Sequence, residues 1–111
     1  MKPKETNCPA EFTLSMIGGR WKIPLIFHLL GGAKRFSALA RALGGISQKM
    51  LTQQLREMER NGLVERKIFA EVPPRVEYSL TSLGKSLKPV VDAMCRWGMS
   101  HSATPEREAQ L

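Results

Sequence analysis

FSALARALGGISQKMLTQQLREMERNG, residues 36–62, encodes two amphipathic helices with a glycine break between them. Its first part sets Phe36, Leu39, Ala40 and Leu43 on one helical face, with Ser37 as the expected N-cap. Gly44-Gly45 then breaks the chain, and Ser47 is placed to cap a second helix. In that helix Leu51, Leu55 and Met58 recur at intervals of four and three until Asn61-Gly62 supplies a stop. Two helices joined by a glycine-containing turn, with the small Ala40 at their crossing, are the arrangement of a helix-turn-helix, whose second helix enters the major groove of DNA.

If Leu51, Leu55 and Met58 face the core, helical geometry turns Lys49, Thr52, Gln53, Arg56 and Arg60 to the opposite side. Ser47, Gln48, Lys49, Thr52 and Gln53 then offer, near the helix N-terminus, the donors and acceptors that base edges require. Arg56 lies one turn deeper, within reach of a base or a phosphate. The solvated side of any amphipathic helix is also polar; the neighbouring elements and the local charge favour groove binding here.

Working outward toward the N-terminus, Gly31-Gly32 closes a helix expected from Trp21 to Leu30, with Pro24 tolerated in its first turn. Before it, Pro9 opens a short helix after Asn7 or Cys8, with Phe12, Met16 and Ile17 as its apolar face and Gly18-Gly19 as its end. Residues 33–35 read as a short link.

Toward the C-terminus, residues 63–69 and 75–80 turn to β-branched and aromatic types, Val76, Tyr78 and Leu80 alternating as in a half-buried strand. Their connection, EVPPR at residues 71–75, is stiffened by Pro73-Pro74 and is expected to display Arg75, as a wing lying on phosphates or in the minor groove requires. A purely structural loop can have the same composition. Lys34, Arg35, Arg66 and Lys67 read as phosphate contacts or solvated charges. Thr81 opens a long final helix, expected to reach Met99, with Leu83, Leu87, Val90, Val91, Met94 and Trp97 on one continuous face. Residues 100–111 are expected to form a flexible tail.

The fold class is therefore mainly α with a small β-hairpin, a single winged helix-turn-helix domain over residues 1–111 with flanking N- and C-terminal helices. The last helix carries more apolar surface than so small a core needs. That surplus favours burial of this helix against a second copy of the chain.

The charge agrees with an anionic partner. The 111 residues carry 17 Lys and Arg against 10 Asp and Glu, a formal net charge of +7. Residues 34–75 hold nine of those cations and four of the acids, while residues 76–111 balance. The opening MKPKETNCPAEF has no apolar run of the kind a secretory signal needs. The longest apolar stretch, residues 23–30, contains Pro24 and His28 and falls far short of the ~20 residues that span a bilayer. A cytoplasmic protein without a membrane partner is expected.

Cys8 and Cys95 lack partners at metal-ligand spacing, so neither a metal site nor a disulfide scaffold is expected. His28 sits on an apolar helix and His101 in the expected tail; no glycine-rich phosphate loop follows a strand and no carboxylate pair suggests a pocket. Catalytic residues, cofactors and enzymatic activity are not expected. The competing reading is a winged helix that binds another protein instead of DNA. RNA is less favoured, because the basic face lacks interleaved aromatics for base stacking.

From residue 8 to residue 98 the chain resembles the HxlR family of regulators. The resemblance is carried by Gly19 to Lys22, Arg35-Phe36, Gly45-Ile46-Ser47, Leu51-Thr52, Leu55-Arg56, Gly62-Leu63-Val64, Pro73-Pro74, Glu77 to Thr81 and Trp97-Gly98. It implies a transcriptional regulator bound to double-stranded DNA as a homodimer, assembled from the terminal helices through Phe12, Met16, Val91, Met94 and Trp97 and reading an inverted repeat. It also implies a role for Cys8, which matches the position just before the first helix where several members sense oxidants or electrophiles. A helix N-terminus near Lys2 and Lys4 favours thiol reactivity; an inert capping or packing thiol remains the alternative. Cys95, beside Trp97, reads as a small buried residue. The effector, the operator and the sign of regulation are not legible.

Overall fold

The computed structural model describes residues 8–102. Its elements are α1 (Pro9–Ile17), α2 (Lys22–Leu29), β1 (Lys34–Arg35), α3 (Phe36–Ala42), α4 (Gln48–Arg60), β2 (Val64–Phe69), β3 (Arg75–Leu80), α5 (Ser82–Lys85) and α6 (Lys88–His101). The helices surround one core, in which Leu25, Ile26, Leu39, Leu51, Leu55 and Met58 are almost fully buried. The leucine and methionine stripe of α4 is thus the inner face that its spacing implied, and the opposite face is left to solvent.

Four expectations are corrected. The expected link at residues 33–35 contains a strand: Lys34 pairs with Tyr78 and Arg35 with Glu77, making a three-stranded antiparallel sheet in the order β1-β3-β2. That pairing holds Arg35 extended, so Arg35 is the N-cap of α3 and the helix begins at Phe36. Ser37 therefore lies inside the first turn and does not cap it. The final helix is divided, because Pro89 has no N–H to donate to Lys85 and its ring would strike that carbonyl. The chain turns at Ser86 and Leu87 and restarts as α6 with Pro89 in its first turn. Ser100 and His101, expected in a tail, continue α6, and His101 stacks on Trp97 at 4.4 Å between ring centroids. Residues 103–111, the rest of that expected tail, lie outside the described residues, as do Lys2 and Lys4.

One junction sets the direction in which α4 hands the chain to the wing. Asn61 is the C-cap, and Gly62 follows at φ +78°, a left-handed conformation that glycine adopts without a Cβ penalty. Gly62 N–H donates to Glu59 O at 3.1 Å and Leu63 N–H to Met58 O at 2.9 Å, the paired bonds of a Schellman motif. Thr81 then receives this corner: its N–H donates to Leu63 O at 3.0 Å and its hydroxyl to Gly62 O. Gly84 packs so closely behind it that a Cβ there would lie inside contact distance of the Leu63 carbonyl oxygen, with Leu80 Cδ2 at 2.9 Å. Gly84→Ala is expected to destabilise the fold by about 1–3 kcal/mol, since backbone must move to admit the methyl. Urea denaturation measures this, and an unchanged midpoint would contradict the close approach.

Candidate nucleic-acid interface

Ser47 caps α4 by accepting the Met50 N–H at 3.0 Å, which fixes the start of the helix and hence the register of its outer face. From that start, Gln48, Lys49, Thr52, Gln53, Arg56 and Arg60 line one shallow, open concave surface. Of the residues expected to read DNA from this helix, all but Ser47, whose hydroxyl is taken up in capping, are gathered there. Lys49 and Arg56 are exposed and, among the described residues, enter no ion pair. Their charge is directed at solvent and available to an anion.

The wing differs from its expected form. Arg75 is not displayed. Its guanidinium donates to Glu71 Oε2 and to Glu77 Oε2, each at 2.8 Å, and stacks over the Phe69 ring at 4.0 Å. With its side chain only 25% exposed, it acts as a brace across the turn end of the hairpin, its charge answered by two carboxylates. The sequence showed the cation beside two prolines but not the acids that β-pairing and the turn fold back onto it. Lys67 remains exposed on β2, its ammonium 5.2 Å from the Phe69 ring centroid. Lys34 and Arg35 occupy β1, and Arg35 and Phe36 border the wing tip at Val72 and Pro73. Arg66 lies 3.9 Å from Glu59, an exposed pair of little energetic weight.

Of the expected interface residues, Phe12, Met94 and Trp97 are exposed, Trp97 to 66%. Val91 is corrected: it is fully buried in the core of its own domain and cannot present a surface. Met16 is half-buried against that core. Leu14 and Met99 add exposed apolar surface that was not singled out. Cys8 is the exposed N-cap of α1, and its side chain makes no capping bond. Cys95, expected inside, is also exposed, because α6 turns only Val91 into the core.

A structural pair behind α4 escaped the sequence reading. Lys22, buried at the start of α2, donates from Nζ to Glu57 Oε1 at 2.7 Å. Its signal was a single lysine on the otherwise uncharged KIPLIFHL, which calls for a carboxylate partner in the fold. The Lys22 bond holds the Glu57 carboxyl below its ordinary value, opposed by desolvation and helped by the charges of Lys22 and Arg60. A depressed folded value makes this contribution full above the unfolded carboxyl's pKa and lost as pH falls through the lower folded one. Lys22→Met should therefore cost about 1.5–3 kcal/mol near neutrality, toward the lower end because Glu57 is a third exposed. The deficit relative to the parent should shrink in acid below that window. Denaturation curves at both pH values check it, and an equal deficit at each would contradict it.

Among the described residues there is no cluster of three metal-ligating side chains, and no helix is long and apolar enough to cross a membrane. Comparison with known proteins gives the arrangement its context. Residues 16–106 match the model of the family described as HxlR-like helix-turn-helix. The uncharacterised HTH-type transcriptional regulator YybR of Bacillus subtilis (strain 168) is 50% identical over 99 residues, covering 89% of this chain and 79% of YybR. The redox regulator HypR superposes in its reduced form with a TM-score of 0.83 at 49% identity, over 86% of this chain and 95% of HypR. Its oxidised form gives a TM-score of 0.82, over 87% and 100%. The reduced form of the regulator YodB from B. subtilis gives 0.74 at 39% identity, over 88% and 97%.

Proposed function

The chain belongs to the HxlR-like helix-turn-helix family and is similar to transcriptional regulators, not to enzymes, and from that premise we propose that it binds DNA sequence-specifically as a homodimer on an inverted repeat. The observation that carries this reading is the outer face of α4. Gln48, Lys49, Thr52 and Gln53 offer base-reading chemistry near the capped start of the helix, and Arg56 and Arg60 follow on the same open surface. Lys34, Arg35 and Lys67 are the flanking phosphate contacts. Arg75 acts by bracing the wing that lies beside them, since its own charge is already answered.

Dimerisation is supported by the exposed apolar side chains of α1 and α6. Phe12, Leu14, Met94, Trp97 and Met99 are large apolar side chains left in water on these two helices, surface that a partner would bury. An isologous interface through these helices would repeat α4 about 34 Å away, one turn of DNA. Fluorescence anisotropy across a salt series tests the reading, using duplex DNA from upstream of the protein's own gene against a scrambled duplex. Preference for the upstream duplex, with a log–log salt slope of about −0.9 per neutralised phosphate, is expected. Equal, salt-insensitive binding to both would move the assignment to a protein-binding winged helix.

Cys8 is the regulatory candidate. It is exposed at the start of a helix that contributes to the proposed interface, and HypR, alike over most of its length, is a redox regulator with reduced and oxidised forms. Diamide should alter the DNA affinity of the parent and leave Cys8→Ser unchanged. An equal response in both would remove Cys8 from the account.

A further inference from the structure

Away from the outer face of α4, an apolar cleft opens between α1 and α5. α1 supplies one wall with Phe12 and Met16, one turn apart, and Thr13 beside them. α5 and the turn after it supply the other with Leu83, Ser86 and Leu87, and buried Leu63 closes the bottom. The cleft is partly enclosed and holds about 190 Å³. An apolar cavity of about 150 Å³ accepts one benzene ring, so this one has room for a single ring with a small substituent.

The lining also selects chemistry. Among the described residues no charged side chain lines the cleft, so a carboxylate or ammonium ligand would lose hydration without gaining an ionic partner. Its polar residues are Thr13 and Ser86. Thr13 Oγ1 donates to Pro9 O at 3.3 Å, and Ser86 Oγ donates to Leu83 O. A carbonyl oxygen only accepts, so each hydroxyl has spent its one hydrogen and offers lone pairs alone. A ligand that meets either must donate.

The bottom of the cleft is joined to the reading helix. Leu63 N–H donates to Met58 O in the corner that ends α4, and Leu63 O accepts the Thr81 N–H. Leu83 lies over the same corner, its Cδ2 3.8 Å from where a Cβ on Gly62 would stand. Phe12, on the other wall, belongs also to the exposed apolar face of α1 that the dimer is proposed to use. A molecule seated between them bears on both.

We propose that this cleft is an effector site for a small neutral ring compound carrying one hydroxyl or N–H donor, and that its occupation changes affinity for DNA. The effect on DNA rests on the reading that α4 contacts DNA; binding in the cleft does not.

Methyl NMR titration of the full chain with phenol, benzene and benzoate tests the site, and anisotropy with the upstream duplex tests the effect. Phenol should saturate at one per chain and shift the Met16, Leu63 and Leu83 methyls. Benzene should bind about threefold to tenfold more weakly for want of the hydrogen bond, and benzoate not at all. Thr13→Val with Ser86→Ala should lower phenol to the benzene value and leave benzene unaltered. Leu83→Trp, at an exposed position, should fill the cleft with its own ring and bind neither. Phenol should change the parent's DNA affinity about fivefold or more and that of Leu83→Trp not at all. No saturable phenol binding, equal binding of benzoate, or shifts confined to other residues would overturn the proposal. A second copy occupying the cleft would give the first of these, with Leu83→Trp dissociating the dimer. Phenol in the cleft with unchanged DNA affinity would overturn the effector role alone, and a parent that binds phenol but no DNA would overturn the α4 reading with it.

Discussion

Alanine at both Gln53 and Arg56 should lower affinity for the specific site by roughly a thousandfold or more while leaving the fold intact. Both side chains are exposed on α4 and neither belongs to the core. A well-formed base contact is worth about 1–3 kcal/mol of discrimination. A dimer loses each contact twice, so even the lower bound gives about 4 kcal/mol, close to three decades of affinity. If Arg56 contacts phosphate and not a base, its removal weakens all duplexes alike and reduces the salt slope by about one per contact. Titrations of both single variants and the double variant separate these roles. Retained affinity in the double variant would show that α4 does not read the DNA.

The second large effect is on assembly. Glutamate at both Met94 and Trp97 places carboxylates in the middle of the proposed interface. Trp97 is 66% exposed in the isolated chain and stacks on His101, so the substitutions leave the core in place. Buried aromatic anchors at interfaces cost about 2–4 kcal/mol when removed, and two-fold symmetry counts each loss twice. The dimer should therefore dissociate at concentrations where the parent remains paired, as sedimentation equilibrium would show. DNA affinity should fall with it, because a monomer engages one half-site. A variant that stays dimeric would place the interface elsewhere on the molecule.

The legible parts of this protein were those governed by local rules. The core stripe of α4, its Ser47 cap and its Asn61-Gly62 stop are set by 3.6-residue periodicity and by groups one turn apart. Residues on the outer face follow from the inner face by geometry alone, which is why the whole polar set of α4 could be named from the sequence. Features that depend on distant partners were not legible. Two residues of β1 are too few to show an alternating pattern, and they become a strand only because β3 offers a free edge. Arg75 read as a displayed cation because nothing local says that Glu71 and Glu77 will close on it. Lys22 and Glu57 are 35 residues apart, and their pairing is a product of helix packing.

Val91 and Cys95 show the same limit on α6. A continuous apolar face says that a helix has something to bury, but not which part goes into its own domain. The core takes Val91, while Met94, Trp97 and Met99 are left exposed. Pro89 is a local signal that the continuous apolar face concealed: it divides what that face alone joins, and the chain turns at Ser86 and Leu87 just before it.

Hydroxyl-radical footprinting on the upstream duplex tests the central claim most directly, since it reports groove contact and two-fold assembly in one experiment. Two equivalent protected patches are expected on one face of the DNA, related by a dyad and centred about 10–10.5 base pairs apart, both lost with Gln53→Ala and Arg56→Ala combined. A single unpaired patch, or protection that persists in that variant, would contradict it.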